Sequence, residues 1–412
     1  MSPAAGVENS GMKIESIEGI PVTIPGRAAI LTSYGSLKSW SRTIIKITTD
    51  TGLVGWGDVS ARIRPETLRG FEHMLRGVSP WSTTIITSRI RNWNYYPWQA
   101  MEPIMAGIEM ACIDLQGKAA DVPAYELLGG RVHETIPVSG YLFYSHANDQ
   151  GTEQVHTPDE VVGLASRWVE KYGFDTLKLK GGYFSPETDR ATLEALRDTF
   201  GRDMKLRLDP QGSWTISTAI RIARDLERVG LEYLEDPVLG ISSMATVRKN
   251  VNLPLSTNMC VTKFEEFGPG LAAGAVDIVL SDLWYWGGMR PTIELDRLCA
   301  TTGLDVGIHS STELGIGWAA MIHAGVAMPH CYLAADAMYL HLTDDIIKGP
   351  MLLPVDGRIA PPEGPGLGIE VDEEKLKKYS ALAQSGAAVD RFLDPSLADS
   401  ERPGWFPSMP AW

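Results

Sequence analysis

A strand-then-helix alternation begins at Ile136 and continues to residue 350, and few folds accommodate such a pattern. Short β-favouring runs recur at residues 136–144, around Lys178, and at 205–208, 231–234, 254–257, 276–281, 306–308 and 332–335. Amphipathic segments separate them. Thr157-Pro-Asp-Glu160 is a capping box with proline at the first helical position, and Val161, Leu164, Ala165 and Trp168 then share one face. Gly173 stops this segment, as Gly230 stops the one carrying Ile216, Ala219, Ile220 and Ala223. Eight strands alternating with helices predict an α/β fold built on a parallel (β/α)8-type barrel over residues 136–350.

Residues 12–135 have another rhythm. Strand patterns at 14–23 and 43–49 lead through Asp50-Thr51-Gly52 into a hairpin return at 53–57, and a dense apolar run at 107–118 predicts a buried helix. This is an N-terminal α+β domain, ending at the hinge-like Gly129-Gly130. Between its first two strands, residues 26–41 are rich in Ser, Tyr and Lys and are expected to form a long functional loop. Residues 1–11 are expected to be a disordered tail. The Pro- and Gly-rich residues 351–412 predict one short helix, near residues 373–384.

The chemistry should collect at the C-terminal ends of the barrel strands. Those positions hold Lys178 and Lys180, then Asp209, Glu235 with Asp236, Asn258, Asp282 and His309. Alone, each has a plainer reading: a solvated lysine pair, a helix-capping carboxylate, a core histidine. Their register with the barrel unit favours a shared site. Asp209, Glu235 and Asn258 offer three oxygen ligands from consecutive strands, which suits a hard cation such as Mg²⁺. Alternation along a strand puts Lys178 and Lys180 on one face, where mutual repulsion is expected to lower the pKa of at least one. Asp282 can accept the Nδ1–H of His309 and leave Nε2 as a base, facing Lys180 across the barrel mouth.

Composition narrows the ligand. A net charge of −14 argues against nucleic acid or an anionic membrane as partner. It also means that an acidic substrate needs local attraction from a metal or from lysines. Cys112, Cys260, Cys299 and Cys331 show no paired spacing and read as reduced, buried thiols. With no signal-like N-terminus and no membrane-length apolar run, a cytoplasmic protein is expected.

These residues resemble the enolase superfamily, and more narrowly glucarate dehydratase and its relatives. The resemblance rests on Thr49-Asp-Thr-Gly-Leu-Val-Gly-Trp-Gly57, Asp114-Leu-Gln-Gly-Lys118, Gly140-Tyr-Leu-Phe-Tyr144, Phe174-Asp-Thr-Leu-Lys-Leu-Lys-Gly-Gly182, Leu208-Asp-Pro-Gln-Gly-Ser-Trp214, Glu235-Asp-Pro237, Thr257-Asn-Met259 and His309-Ser310. It implies that residues 12–135 cap the barrel and that residues 351–412 pack back on them. It also implies that Asp209, Glu235 and Asn258 bind Mg²⁺, that Lys180 and His309 are opposed acid/base groups, and that Asp282 orients His309. Lys178 would assist at the substrate carboxylate. Substrate contacts are implied at Tyr141, Lys178, Ser311, Lys38 and Met338. The implied reaction is proton removal next to the carboxylate of an acid sugar (an aldarate or related compound), followed by β-elimination of water, in a homo-oligomeric enzyme. Where glucarate dehydratases carry His and Asn, this chain has Thr32, Ser33, Tyr34, Ser36 and Lys38, Leu-Trp-Tyr-Trp after Asp282, Ser-Thr-Glu after Ser310, and Met338. Glucarate itself is therefore not expected to be the best substrate. Two alternatives stay open: an acid-sugar racemase or epimerase on the same bases, and a non-catalytic Mg²⁺-dependent acid-sugar binder.

Overall fold

The computed structural model describes residues 11–93, 101–386 and 409–412. Except for Gly11, the expected disordered tail lies outside these residues, as does the stretch 387–408. Strands β1 (Ile14–Thr32), β2 (Gly35–Thr49) and β3 (Val54–Ser60) form an antiparallel sheet in that order. Helices α1 (Pro65–Leu75), α2 (Thr83–Trp93) and α3 (Glu102–Ala120) complete this part of the chain. Helix α3 is buried almost all round and lies hard against β3. A Cβ at Gly57 would collide with the carbonyl oxygen of Gly107, so the glycines at this crossing are what let the helix approach.

The expected loop at residues 26–41 is instead the outer half of the long β1–β2 hairpin. Pairing runs through Ile24↔Trp40 and Pro25↔Ser39, breaks at a bulge, and resumes from Ile30↔Leu37 to Thr32↔Gly35. Polar composition hid this extension, because its second edge is satisfied by the barrel. Leu31 N–H donates to Tyr144 O at 2.7 Å and His146 N–H to Ala29 O at 2.9 Å, while Leu31, Leu37 and Trp40 are buried.

The barrel follows as β4 (Ile136–Pro137), β5 (Gly140–Phe143), α4 (Pro158–Tyr172), β6 (Thr176–Lys180), α5 (Pro186–Phe200), β7 (Lys205–Asp209), α6 (Ile216–Leu226), β8 (Tyr233–Glu235), α7 (Ile241–Arg248), β9 (Leu255–Thr257), α8 (Phe264–Ala273), β10 (Ile278–Ser281), α9 (Leu283–Trp286), α10 (Met289–Thr302), β11 (Asp305–Ile308) and α11 (Gly315–Ala327). The capping box at Thr157 and Glu160 forms as expected. Strands β5 to β11 make one parallel sheet in sequential order. The eighth strand expected at 332–335 does not form as a regular element. Residues around it close the ring through single contacts: Ala335 N–H to Pro137 O at 2.8 Å, Ser139 N–H to Ala335 O at 2.9 Å, and Asp336 N–H to Ile308 O at 3.0 Å. Pro137 has no N–H to give a ladder there, and β4 pairs instead with β12 (Arg358–Ile359).

Helix α12 (Glu373–Ser385), the short helix expected near 373–384, packs on β1. Among the described residues no helix is long and apolar enough to cross a membrane.

Asp114 on α3 joins three parts of the chain. Its carboxylate accepts from Trp56 N–H at 3.0 Å, Leu367 N–H at 2.9 Å and Lys118 Nζ at 2.6 Å. Asp114→Leu would orphan two buried N–H groups and leave Lys118 Nζ with only the Val54 carbonyl, so urea unfolding should show a loss of about 3 kcal/mol. A loss below about 0.5 kcal/mol would show that the tie is dispensable.

Candidate active site

Six of the predicted site residues close a strand or directly follow one, and Lys178 lies two positions before the end of its strand. Lys178 and Lys180 lie on β6, and Asp209 and Glu235 end β7 and β8. Asn258, Asp282 and His309 come immediately after β9, β10 and β11. Both lysines point into the barrel mouth and are buried. Lys178 Nζ lies 2.5 Å from both Asp336 Oδ2 and Glu235 Oε2, and 3.9 Å from Asp209 Oδ2. Lys180 Nζ donates to Asp209 Oδ2. The two ammonium groups sit 4.8 and 5.6 Å from the ring centroid of Tyr141, whose buried hydroxyl has no hydrogen-bond partner among the described residues.

The expected depression of a lysine pKa is not what happens at Lys178. Burial alone would lower it, but the Asp336 and Glu235 carboxylates outweigh that and hold it well above the usual lysine value. Burial would likewise raise Asp209, yet Lys180 and Lys178 keep it below the carboxylate range. Glu235 is pushed well above that range by burial and by the charge of Asp209, and burial brings Asp236 up to about 7. Arg207 Nη1 also lies 3.6 Å from Asp336 Oδ1, which leaves Asp209, Glu235 and Asp236 facing the two lysines, one buried carboxylate more than they neutralise.

A hard divalent cation fits this imbalance. Among the described residues no three His, Cys, Asp or Glu side chains form a metal cluster, but here the third donor is an amide. In one orientation the Asn258 side-chain oxygen faces Glu235 Oε1 at 3.2 Å and Asp236 Oδ2 at 3.0 Å, oxygen against oxygen with no proton between them. Turned over, the amide donates to both carboxylates and accepts from His309 Nε2–H at 2.8 Å. The turned form satisfies the metal-free protein, and the first form suits a cation. Glu235 Oε2 adds a second sign: despite the nearby Lys178 ammonium, it receives no well-directed hydrogen bond.

Toward the other end of the strand order, His309 Nδ1 lies 3.1 Å from Asp282 Oδ2. Asp282 Oδ1 accepts from Trp284 N–H at 3.0 Å, at the start of α9. The hydroxyl of Ser311, implied above as a substrate contact, donates instead to Asp282 Oδ2. Ser310 Oγ donates to Glu313 and accepts from Met338 N–H at 2.8 Å. Burial raises Glu313 to about 7, and its carboxylate is occupied by Ser310, Ser311 N–H and Tyr339 N–H. At the hairpin tip, Ser33 N–H donates to Gln211 Oε1 at 2.9 Å, and Tyr34 Oη contacts Met259 Sδ at 3.9 Å. Lys38, by contrast, is exposed on β2, and no contact of this cluster involves it.

Asp336 and Gln211 were not singled out from the sequence. Asp336 could have been, because it ends the eighth β-favouring run and so obeys the rule that located the others. Gln211 has no such signal, since only the folded hairpin gives its side chain a partner.

Residues 18–129 match the mandelate racemase / muconate lactonizing enzyme N-terminal domain, and residues 160–375 match the enolase C-terminal domain-like family. The chain belongs to the enolase superfamily. Within the superfamily it is 40% identical to a probable glucarate dehydratase of Streptomyces coelicolor over 75% of this chain and 73% of that protein. It is 27% identical to an N-succinyl-L-Arg/Lys racemase of Bacillus cereus (90% and 99% covered) and to a D-galactonate dehydratase of Xanthomonas euvesicatoria (84% and 93%). An enolase of Mycobacterium smegmatis complexed with tartrate superposes with a TM-score of 0.91 at 35% identity, over 99% of this chain and 100% of that one. One from Pseudomonas fluorescens, with bound magnesium, potassium and tartrate, gives 0.89 at 32%, over 98% and 100%.

If Asp209, Glu235 and Asn258 are the cation ligands, Mg²⁺ at 100 times its Kd should stabilise the protein by about 2.7 kcal/mol. Asp209→Ala, Glu235→Ala and Asn258→Ala should each remain folded and lose this increment. Equal stabilisation of the parent and all three variants by Mg²⁺ would rule the ligand set out.

Proposed function

We propose that this chain is a Mg²⁺-dependent acid-sugar dehydratase that removes the proton next to a carboxylate and eliminates water. The observation that carries the reading is the placement of Lys180 and His309, which reach one buried carboxylate cluster from β6 and from the end of β11. Similarity to the Streptomyces and Xanthomonas dehydratases supports the reaction class.

Lys178, held cationic by its carboxylate neighbours, would meet the substrate carboxylate. When bound, the cation supplies fixed positive charge for the negative charge that builds on that carboxylate. Lys180 or His309 takes the α-proton, according to the configuration of the carbon it faces. Asp282 keeps the imidazole proton on Nδ1, so Nε2 is the reacting nitrogen. His309 carrying a proton on Nε2 gives it to the hydroxide leaving the β-carbon, which departs as water. The resulting enol becomes a 2-keto-3-deoxy acid.

The distal end of the substrate faces a different surface from the one that glucarate would need. The hairpin tip brings Ser33 and Tyr34 over Gln211 and Met259, while Glu313 is already engaged and Lys38 points to solvent. Each substrate polar group left unpartnered costs about 1–3 kcal/mol. A screen of aldaric and aldonic acids for 2-keto products should therefore find a substrate whose kcat/KM exceeds that for glucarate by roughly 10-fold or more. Epimers without a 2-keto product would instead establish the racemase reading, for which the Bacillus relative and the paired bases are the grounds. Binding of an acid sugar with neither product nor solvent deuterium incorporation would instead point to the non-catalytic binder.

The bases make a separate prediction. His309→Asn should stop dehydration yet leave α-proton exchange with the epimer presented to Lys180, and Lys180→Met should show the opposite selectivity. Parallel loss with both epimers in both variants would disprove opposed bases.

A further inference from the structure

Arg42 lies on β2, outside the barrel, and takes no direct part in the chemistry above. It is nonetheless buried at the barrel mouth. Its Nε and Nη2 donate to Asp58 Oδ2 and Oδ1 at 3.3 and 3.1 Å. The remaining arm, Nη1, donates to the carbonyl oxygen of Ser311 at 2.9 Å. The flat guanidinium also stacks on Trp284, with Cζ 4.2 Å from the ring centroid. Trp284 is fixed in turn by its indole N–H, which donates to Asp58 O at 2.8 Å.

The two barrel residues that Arg42 touches are those that hold the two oxygens of Asp282. Ser311 Oγ donates to Oδ2, and Trp284 N–H donates to Oδ1 at 3.0 Å. Asp282 Oδ2 is also the atom that faces His309 Nδ1. Two short paths therefore run from one side chain of the N-terminal domain to the histidine, through different partners and ending on the same carboxylate. The loop needs this support. Thr312, directly after Ser311, has φ of 57°, a left-handed conformation that a β-branched residue adopts only when its surroundings impose it.

We propose that Arg42 is a positioning residue for His309, fixing the direction of Nε2 by clamping Ser311 and Trp284 around Asp282. The inference rests on the reading of His309 and Lys180 as opposed bases. A guanidinium is needed for it, since an ammonium cannot bond Asp58 with two atoms, reach the Ser311 carbonyl and stack on an indole at once.

Exchange by the Mg²⁺-loaded protein in D₂O separates the possibilities, with the hexaric acids as probes because between them they present both configurations at C2 and C5. Arg42→Lys and Arg42→Met should lower His309-face exchange and dehydration kcat by roughly 10- to 100-fold, while Lys180-face exchange stays within about 2-fold of the parent. KM should change less than kcat. Ser311→Ala leaves the Arg42–Asp58 pair intact and should give the same one-sided loss, so it decides the matter if the Arg42 variants do not fold. Unchanged His309-face exchange in Ser311→Ala and in every folded Arg42 variant would overturn the proposal. Equal loss on both faces would overturn it too, because a general weakening of the fold has no preferred face. A parent protein that exchanges none of these acids would overturn the reading of the bases themselves, and this inference with it.

Discussion

The buried ammonium of Lys178 is the contact on which the rest of this structure turns. It lies between Asp336 and Glu235 with no exposed surface, so each charge is tolerable only because the others are present. Asp336 belongs to the irregular segment that closes the ring, and Lys178 and Glu235 belong to regular strands. The ion pair thus helps to close the barrel where backbone ladders do not. The surplus of carboxylate that remains is what the proposed cation would balance. One cluster thus shapes the end of the barrel and supplies the charges on which the proposed chemistry rests.

Backbone conformation around the cluster shows how firmly it is set. Gln211, Asp236 and Thr312 are non-glycine residues with φ of 54°, 34° and 57°, and each lies one to three residues after a proposed site residue. Such conformations cost about 1–3 kcal/mol each and persist only where the surroundings enforce them. At Asp236 the enforcement is plain: its carboxylate takes the backbone N–H groups of Asn258 and Met259 and the hydroxyl of Thr257. At Gln211 the backbone N–H is tied to Asp209 Oδ1 at 2.8 Å. The backbone beside each of the residues proposed to hold the metal is thereby fixed before any ligand arrives.

What could be read from the sequence was whatever repeats along it. Strand–helix alternation located β6 to β11, and a position rule then picked out the residues from Lys178 to His309. Features that depend on a distant part of the chain stayed hidden. Residues 26–41 looked like a loop because their own composition is polar, whereas their pairing is completed by Tyr144 and His146. The eighth run looked like a strand because its residues favour one, whereas Pro137 cannot offer the ladder it needs. Ser311 looked free to meet a substrate, and only the fold reveals that Asp282 already takes its hydroxyl. Lysine repulsion was anticipated from two residues, but the balance at Lys178 is decided by carboxylates from β8 and the closing segment.

The packing of α12 on β1 has a consequence for how the protein is made. β1 leaves the ribosome well before α12, the last helix among the described residues. Until some 340 intervening residues have been synthesised, the face of the sheet that α12 covers has no lasting partner. At about 5–20 residues per second, that interval is tens of seconds. The N-terminal sheet must stay soluble through it with that face uncovered, which makes the interval a time of exposure to chaperones and to misassembly.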